Sequence, residues 1–296
     1  MDLEQTAIER LQMASGMSLR LYKRPLMIAY SGGKDSDVLL NLVRRAEIPC
    51  EVVHSLTTAD APETVYHVRK VFAGLEHEGV NCSINVHRQP DGTCTTMWGL
   101  IPKQGVPPTR LMRYCCARLK ETAGANRWIA TGVRWAESTA RKKRGLLENI
   151  TKNKSERLIL MSDNDERRMM MESCQLKGSR AVNPIIDWST QDVLDYCADQ
   201  KIVLNPLYAR GMTRVGCIGC PMAGAARQTQ FALYPKYKDM YMGAFAQMLH
   251  ARKDKGLRTQ WETPADVWHW WMDDGVLPGQ VTFDEMEGER DDKTYD

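Results

Sequence analysis

Ala29-Tyr30-Ser31-Gly32-Gly33-Lys34-Asp35-Ser36-Asp37 is the stretch whose reading decides the fold. Ahead of it, Pro25 to Tyr30 reads as a short apolar strand. Behind it, Val38-Leu39-Leu40-Asn41-Leu42-Val43 reads as an amphipathic helix. Two glycines at this strand-to-helix turn let the backbone approach a ligand closely and adopt angles other residues resist. The helix start then offers unpaired N–H groups and a positive dipole end to an anion. Ser31 and Ser36 add hydroxyls, Lys34 a cation, and Asp35 or Asp37 an acceptor or a metal contact. An ordinary glycine turn with a helix cap uses some of the same residues. The complete word Ser-Gly-Gly-Lys-Asp-Ser between strand and helix favours a phosphate-rich ligand instead. It is not a Walker A loop, whose Gly-Lys-Ser/Thr follows a longer turn.

Working outward, Leu3 to Leu21 carries apolar residues at helical spacing. Cys50 to Leu56 reads as a second strand, and the turn residues Thr57 to Thr64, with Asp60 among them, open a helix through Tyr66, Val68 and Phe72. Cys82 to His87 is a third strand and Trp128 to Val133 a fourth. Strands alternating with helices, with polar words at their ends, imply an α/β doubly wound parallel sheet. Ligands of such sheets lie outside the strands' carboxyl ends, so the polar words after strands one, two and four are expected to meet at one crevice. The word after strand four is Gly132-Val133-Arg134-Trp135-Ala136-Glu137-Ser138-Thr139-Ala140-Arg141. Arg134 and Arg141 suit an oxyanion because a guanidinium grips it with two bonds, and Glu137 orients an arginine or holds a hydroxyl.

The expected organisation is a nucleotide-binding domain over 1–225, with a lid or insertion near 145–180 and the cysteine clusters, then a mainly helical region over 226–283. Residues 284–296 are acidic and read as a disordered tail. The methionines at 169–171 read as packing residues of a helix opened by Asp163-Asn164-Asp165-Glu166. A long helical region is expected from Arg227 through Leu249, followed by Thr263 to Met272, and Trp268, Trp270 and Trp271 read as core.

At 296 residues, with 43% hydrophobic and 26% charged residues, the composition is that of a globular chain. A net charge of +3 demands no polyanionic partner, although the basic run Arg141-Lys142-Lys143-Arg144 is compatible with one. No apolar run approaches the roughly 20 residues of a membrane span. The polar, acidic start is unlike a secretory leader, so a cytoplasmic location with no membrane association is expected. Nine cysteines then read as reduced thiols used for metal or chemistry.

Two cysteine clusters stand out: Arg113-Tyr114-Cys115-Cys116 and Val215-Gly216-Cys217-Ile218-Gly219-Cys220-Pro221. A Cys-x-x-Cys turn flanked by glycine and proline presents two thiolates to one metal. With the upstream tandem pair, a four-thiolate site of Cys115, Cys116, Cys217 and Cys220 is favoured, with Cys174 as an alternative ligand. Spacing does not separate zinc from a [4Fe–4S] cluster.

Together these words resemble the phosphoadenosine phosphosulfate (PAPS) reductase family of the PP-loop, adenine-nucleotide α-hydrolase-like superfamily. The words are Ser31 to Ser36, Asp60 with Pro62-Glu63-Thr64, Arg113 to Cys116, and Gly132 to Arg141. Pro184 to Trp188, Asn205-Pro206-Leu207-Tyr208 and Gly216 to Pro221 complete the set, across roughly residues 25 to 225. The cysteine clusters resemble the iron–sulfur branch, which includes adenylylsulfate reductases and the sulfur-transfer ATPase of DNA phosphorothioation. The resemblance implies ATP or an adenylyl nucleotide with Mg²⁺, its phosphates on Ser31, Gly32, Gly33, Lys34, Asp35 and Ser36, and Gly132 lining the same site. Arg134 and Arg141 would face substrate oxyanions, with Lys34, Asp35, Asp60 and Glu137 completing the reactive set. The four clustered thiols would hold iron. The implied reaction is adenylylation with pyrophosphate release, supporting sulfur transfer to an acceptor such as a nucleic acid from a sulfur donor such as a cysteine desulfurase. The alternatives are a sulfonucleotide reductase forming sulfite with thioredoxin, and a non-catalytic nucleotide-binding module with structural zinc. Sulfonucleotide reductases carry a further cysteine in a C-terminal Glu-Cys-Gly segment; here no cysteine follows Cys220, and the tail reads Glu287-Gly288-Glu289-Arg290-Asp291-Asp292.

Overall fold

The computed structural model describes residues 2–139, 141–150, 158–163 and 178–273. Its elements run α1 (Leu3–Tyr22), β1 (Leu26–Ala29), α2 (Lys34–Arg45), β2 (Cys50–Ser55), α3 (Pro62–His77) and β3 (Asn81–Asn85). They continue with α4 (Met97–Gln104), α5 (Tyr114–Leu119), β4 (Trp128–Ala130), β5 (Leu147–Ile150), β6 (Ile159–Leu160) and β7 (Ser179–Val182). Then come α6 (Thr190–Asp199), α7 (Ala226–Leu233), α8 (Pro235–Asp254) and α9 (Pro264–Met272). They belong to two compact units, one of residues 1–56, 60–87 and 120–216, the other of residues 57–59, 88–119 and 217–296.

The first unit holds one seven-stranded sheet among its described residues, in the order β3-β2-β1-β4-β7-β5-β6. Strands β3, β2, β1, β4 and β7 are parallel, and β5 runs antiparallel to both β7 and β6. The order reverses at β1, which pairs with β2 on one side and with β4 on the other, Met27 facing Ile129. In sheets of this kind ligands sit at the carboxyl ends of the strands that flank such a reversal, here β1 and β4.

Local sequence explains the elements around it. Asp2 caps α1, its carboxylate accepting from Glu4 N at 3.0 Å, and the helix buries Ala7, Leu11 and Ala14. In α2, Val38, Leu39, Leu42 and Val43 are buried, each contributing about 1.5–3 kcal/mol of apolar transfer. Their side anchors the helix so that its polar first turn points back over the end of β1.

The doubly wound sheet expected from the alternation is present, with an antiparallel edge that the alternation did not signal. Strands β5 and β7 bracket the stretch expected as a lid near 145–180, and its flanks are part of the sheet. Residues 151–157 and 164–177, and with them the methionine helix and Cys174, lie outside the described residues, as does the tail 284–296. The helical region expected over 227–249 is present as two helices. Pro235 removes a backbone donor and opens a new helix, so α7 ends at Leu233 and α8 runs to Asp254.

The second unit is helical. Trp271 of α9 is 1% exposed and packs on Phe231, Tyr241 and Phe245, its indole N–H donating to the Pro108 carbonyl at 2.7 Å. The tryptophans read as core therefore include a true core residue.

Candidate active site

The turn between β1 and α2 is built from glycine permissiveness and hydroxyl bonds. Gly32 has φ +75°, and a Cβ there would stand 3.1 Å from Val68 Cγ2 and 3.2 Å from Thr64 Cγ2. Only glycine takes both the conformation and the space without strain. Gly33 caps α2 in an extended conformation, and its N–H donates to Ser36 Oγ at 3.1 Å. Ser36 Oγ in turn donates to the Gly33 carbonyl at 2.7 Å, and the Ser31 hydroxyl reaches Ser36 Oγ at 3.1 Å. The expected phosphate-loop residues thus form one closed turn.

Charges are concentrated just behind it. Lys34 Nζ lies 3.2 Å from Asp35 Oδ2, and Arg134 Nε donates to Asp35 Oδ1 at 2.7 Å. Arg134 is 1% exposed, and its Nη1 donates to the Trp188 carbonyl at 3.1 Å. Glu137 accepts from the Arg134 backbone N–H at 3.0 Å and from Arg141 Nη1 at 2.8 Å. Burial and the neighbouring Arg214 and Arg144 push the Arg141 guanidinium down, while Glu137 and Asp35 oppose them. Gly132 locks the two loops together, because a Cβ on it would stand 2.7 Å from the Asp35 carbonyl oxygen.

A second layer lies beneath. Tyr30 Oη donates to Asp37 Oδ1 at 2.5 Å, and His67 Nε2 stands 3.1 Å from Tyr30 Oη and 3.3 Å from Asp37 Oδ1. Burial first, then the Asp37 charge, raises the Tyr30 hydroxyl far above its ordinary range. Asp37 is 6% exposed and so supports the helix start from below.

In the second unit the C-x-x-C turn is packed on aromatic rings. Gly219 has φ +73°, and a Cβ there would stand 2.5 Å from Phe231 Cζ and 3.0 Å from Tyr241 Cε2. Tyr241 Oη donates to the Ile218 carbonyl at 3.0 Å, Gly219 N–H to Gln230 Oε1 at 2.9 Å, and Ile218 N–H to the Ala59 carbonyl at 2.7 Å. The Cys115 thiol at the start of α5 is pushed strongly up by a side-chain hydrogen bond with Cys116, by burial, and by the charges of Cys116, Cys217 and Cys220. Cys116, Cys217 and Cys220 thus all act electrostatically on Cys115. Among the described residues, no three Cys, His, Asp or Glu side chains converge tightly enough to hold an ion. As a donor set, four soft thiols fit iron or zinc.

Residues 25–223 match the family model described as the phosphoadenosine phosphosulfate reductase domain. The chain belongs to the PAPS reductase family. An uncharacterized protein of Methanocaldococcus jannaschii is 26% identical over 200 residues, which is 67% of this chain and 36% of that protein. The chain therefore spans about a third of the length of that relative. The adenosine 5'-phosphosulfate reductase of Oceanobacillus iheyensis is 23% identical over 216 residues, 68% of this chain and 72% of the reductase. The PAPS reductase of Candida auris, solved as a phosphate complex, aligns with a TM-score of 0.41 at 17% identity, over 71% of this chain and 93% of its own.

Within the family's matched span, Ser31 to Ser36, Gly132, Arg134, Glu137 and Arg141 come together. Arg134 differs from the expectation in one respect: its side chain is committed to Asp35 and the Trp188 carbonyl rather than presented outward. Asp60 is 8% exposed and acts electrostatically on His54, which is 5% exposed and 3.0 Å from the Tyr30 carbonyl through Nδ1. Of the basic run, Lys142 and Lys143 are exposed while Arg141 and Arg144 are paired with Glu137 and Glu148. Three supporting residues carried no assigned role in the sequence. Asn205 Nδ2 donates to the Gly32 carbonyl at 2.9 Å and lies 3.2 Å from Thr64 Oγ1. Tyr208 touches the start of α2, and His67 joins the buried Tyr30–Asp37 pair. The word Asn205-Pro206-Leu207-Tyr208 was the available signal, but spacing alone does not say that it folds back onto the loop. Among the described residues no helix is long and apolar enough to cross a membrane.

Proposed function

We propose that the turn over Ser31–Ser36 binds the phosphates of ATP or an adenylyl nucleotide, and that the chain cleaves at the α-phosphate. What supports the reading is the Gly132 contact with Asp35, which fixes two loops of a PAPS reductase-family sheet at its switch point, where a phosphate cradle belongs. The backbone N–H groups of Gly33 and Lys34 and the Lys34 ammonium meet phosphate oxygens. Asp35 would hold Mg²⁺, which when bound would offset phosphate charge, and Arg141 supplies positive charge where the transition state gathers negative charge. Arg134 acts as a positioning residue that fixes Asp35, and Asp60 lines the carboxyl end of the sheet. An acceptor oxygen attacks the α-phosphorus, the bond to the bridging oxygen breaks, and pyrophosphate leaves with that electron pair. The adenylylated acceptor then carries AMP as a good leaving group for sulfur.

Cys115, Cys116, Cys217 and Cys220 are the residues that would hold a [4Fe–4S] cluster, with Cys174 as the alternative fourth ligand and zinc as the alternative metal. When bound, the cluster would supply a site for sulfur delivery. The proposed sulfur donor is a cysteine desulfurase and the proposed acceptor a nucleic acid, approached by Lys142 and Lys143. A second reading, sulfite formation from an adenylyl sulfate, is favoured by the similarity to the adenosine 5'-phosphosulfate reductase.

Two measurements test this. Anaerobic purification with iron, inorganic sulfide and zinc analysis should yield iron and sulfide; zinc alone removes the cluster. ATP with Mg²⁺ and adenylyl sulfate are then each assayed for binding and products. Pyrophosphate supports the leading reaction and sulfite the second; binding of neither nucleotide overturns both.

A further inference from the structure

The first N–H of α2 already has a partner inside the chain. Lys34 N–H donates to Tyr208 Oη at 2.9 Å, and the same hydroxyl lies 3.3 Å from where a Cβ on Gly33 would stand. The Tyr208 ring lies 5.8 Å from Lys34 Nζ. A neutral oxygen therefore sits at the position where the helix dipole, the leading N–H and the lysine together favour an anionic one.

Its placement is enforced. Tyr208 belongs to the turn that begins at Asn205, a residue 1% exposed. The Asn205 carboxamide donates to the Gly32 carbonyl at 2.9 Å and accepts from Leu207 N–H at 3.1 Å; its carbonyl accepts from Tyr208 N–H at 3.1 Å. One buried asparagine thus fixes both the phosphate turn and the segment carrying the tyrosine. Burial pushes the Tyr208 hydroxyl up to about 12, so it stays protonated and uncharged at neutral pH.

We propose that Tyr208 Oη is a built-in surrogate for a phosphoryl oxygen, holding the phosphate turn in its binding form and yielding the Lys34 N–H when a nucleotide's phosphate arrives. The proposal rests on the nucleotide reading above. A hydrogen bond from N–H to a charged phosphate oxygen is roughly twice as strong as one to a neutral hydroxyl, so the exchange runs toward the ligand. The surrogate leaves the turn's donor satisfied before binding, and it lowers affinity by competing for that donor.

The test is Tyr208→Phe, which keeps the ring and removes the hydroxyl, compared with the parent chain and Lys34→Ala by calorimetric titration with ATP and Mg²⁺ and with pyrophosphate. The expected result is about three- to tenfold tighter binding of both by Tyr208→Phe, the yield of deleting one competing hydrogen bond. Lys34→Ala is expected to bind at least tenfold more weakly. Equal or weaker binding by Tyr208→Phe, with Lys34→Ala still impaired, overturns the surrogate and leaves the nucleotide reading standing. A parent chain that binds neither ligand, or a Lys34→Ala that binds as well as the parent, removes both. If Tyr208→Phe does not fold, 3-fluorotyrosine placed at 208 reports instead. A ¹⁹F shift toward the solvent value on adding ATP supports displacement, and an unmoved resonance overturns it.

Discussion

Arg134 Nε lies 2.7 Å from Asp35 Oδ1, and the arginine is 1% exposed while the aspartate keeps a fifth of its surface. A buried cation from the loop after β4 thereby sets the direction of a carboxylate in the first turn of α2. The other oxygen of that carboxylate is left toward Lys34. The loop after one strand governs the electrostatics of the loop after its neighbour.

Arg134→Ala should therefore act on stability as well as on turnover. Removing one partner of a buried pair costs about 3 kcal/mol at the low end of its range. Arg134→Lys should recover only part of this, since one ammonium cannot serve both Asp35 and the Trp188 carbonyl in the guanidinium's geometry. Urea unfolding measures the loss. A variant as stable as the parent would show the pair to be dispensable.

Gly132→Ala should separate the two loops. Its Cβ would come 2.7 Å from the Asp35 carbonyl oxygen, a backbone atom that cannot turn aside. A cost of about 1–3 kcal/mol and at least tenfold weaker ATP binding are expected. Gly16→Ala in α1 is the control: its Cβ meets nothing within 4 Å, and it should stabilise by about 0.5–1 kcal/mol. Titration of ATP against both variants decides the matter, and equal affinities would contradict the contact.

Gly219→Ala should damage the thiol turn. The φ of +73° and the 2.5 Å approach to Phe231 Cζ leave no room for a methyl. The expected loss is at least about 2 kcal/mol, with less metal retained per chain after purification. Metal analysis at matched protein concentration checks it; undiminished metal content would mean that the turn tolerates the change.

His54 gives the fold a pH dependence. Burial lowers its pKa from 6.5, with Asp60 and the Tyr30 carbonyl opposing and Lys120 reinforcing the shift. The unfolded chain takes up a proton near pH 6.5 while the folded chain resists it. This contribution is thus complete above pH 6.5 and declines as the pH falls toward the folded value, by up to about 1.4 kcal/mol per pH unit. Urea midpoints between pH 8 and pH 5 should fall more steeply for the parent than for His54→Asn. Parallel profiles would assign the acid sensitivity elsewhere.

The word Ser31 to Ser36 was sufficient to announce a glycine turn between strand and helix, because backbone freedom and helix capping are local properties. The alternation of strands and helices announced a parallel sheet for the same reason. The antiparallel strand β5 escaped notice because four residues, Leu147–Ile150, carry too little periodicity to be distinguished. Nothing local links Asn205 to Gly32, Tyr208 to Lys34, or Arg134 to Asp35. Those pairings are 173, 174 and 99 residues apart in the chain. Residue type told which groups bind oxyanions; only packing in three dimensions decided that Arg134 is spent on a carboxylate and that a tyrosine hydroxyl stands at the helix start. Burial made that decision, since a charge removed from water is held by whichever partner the fold brings within reach.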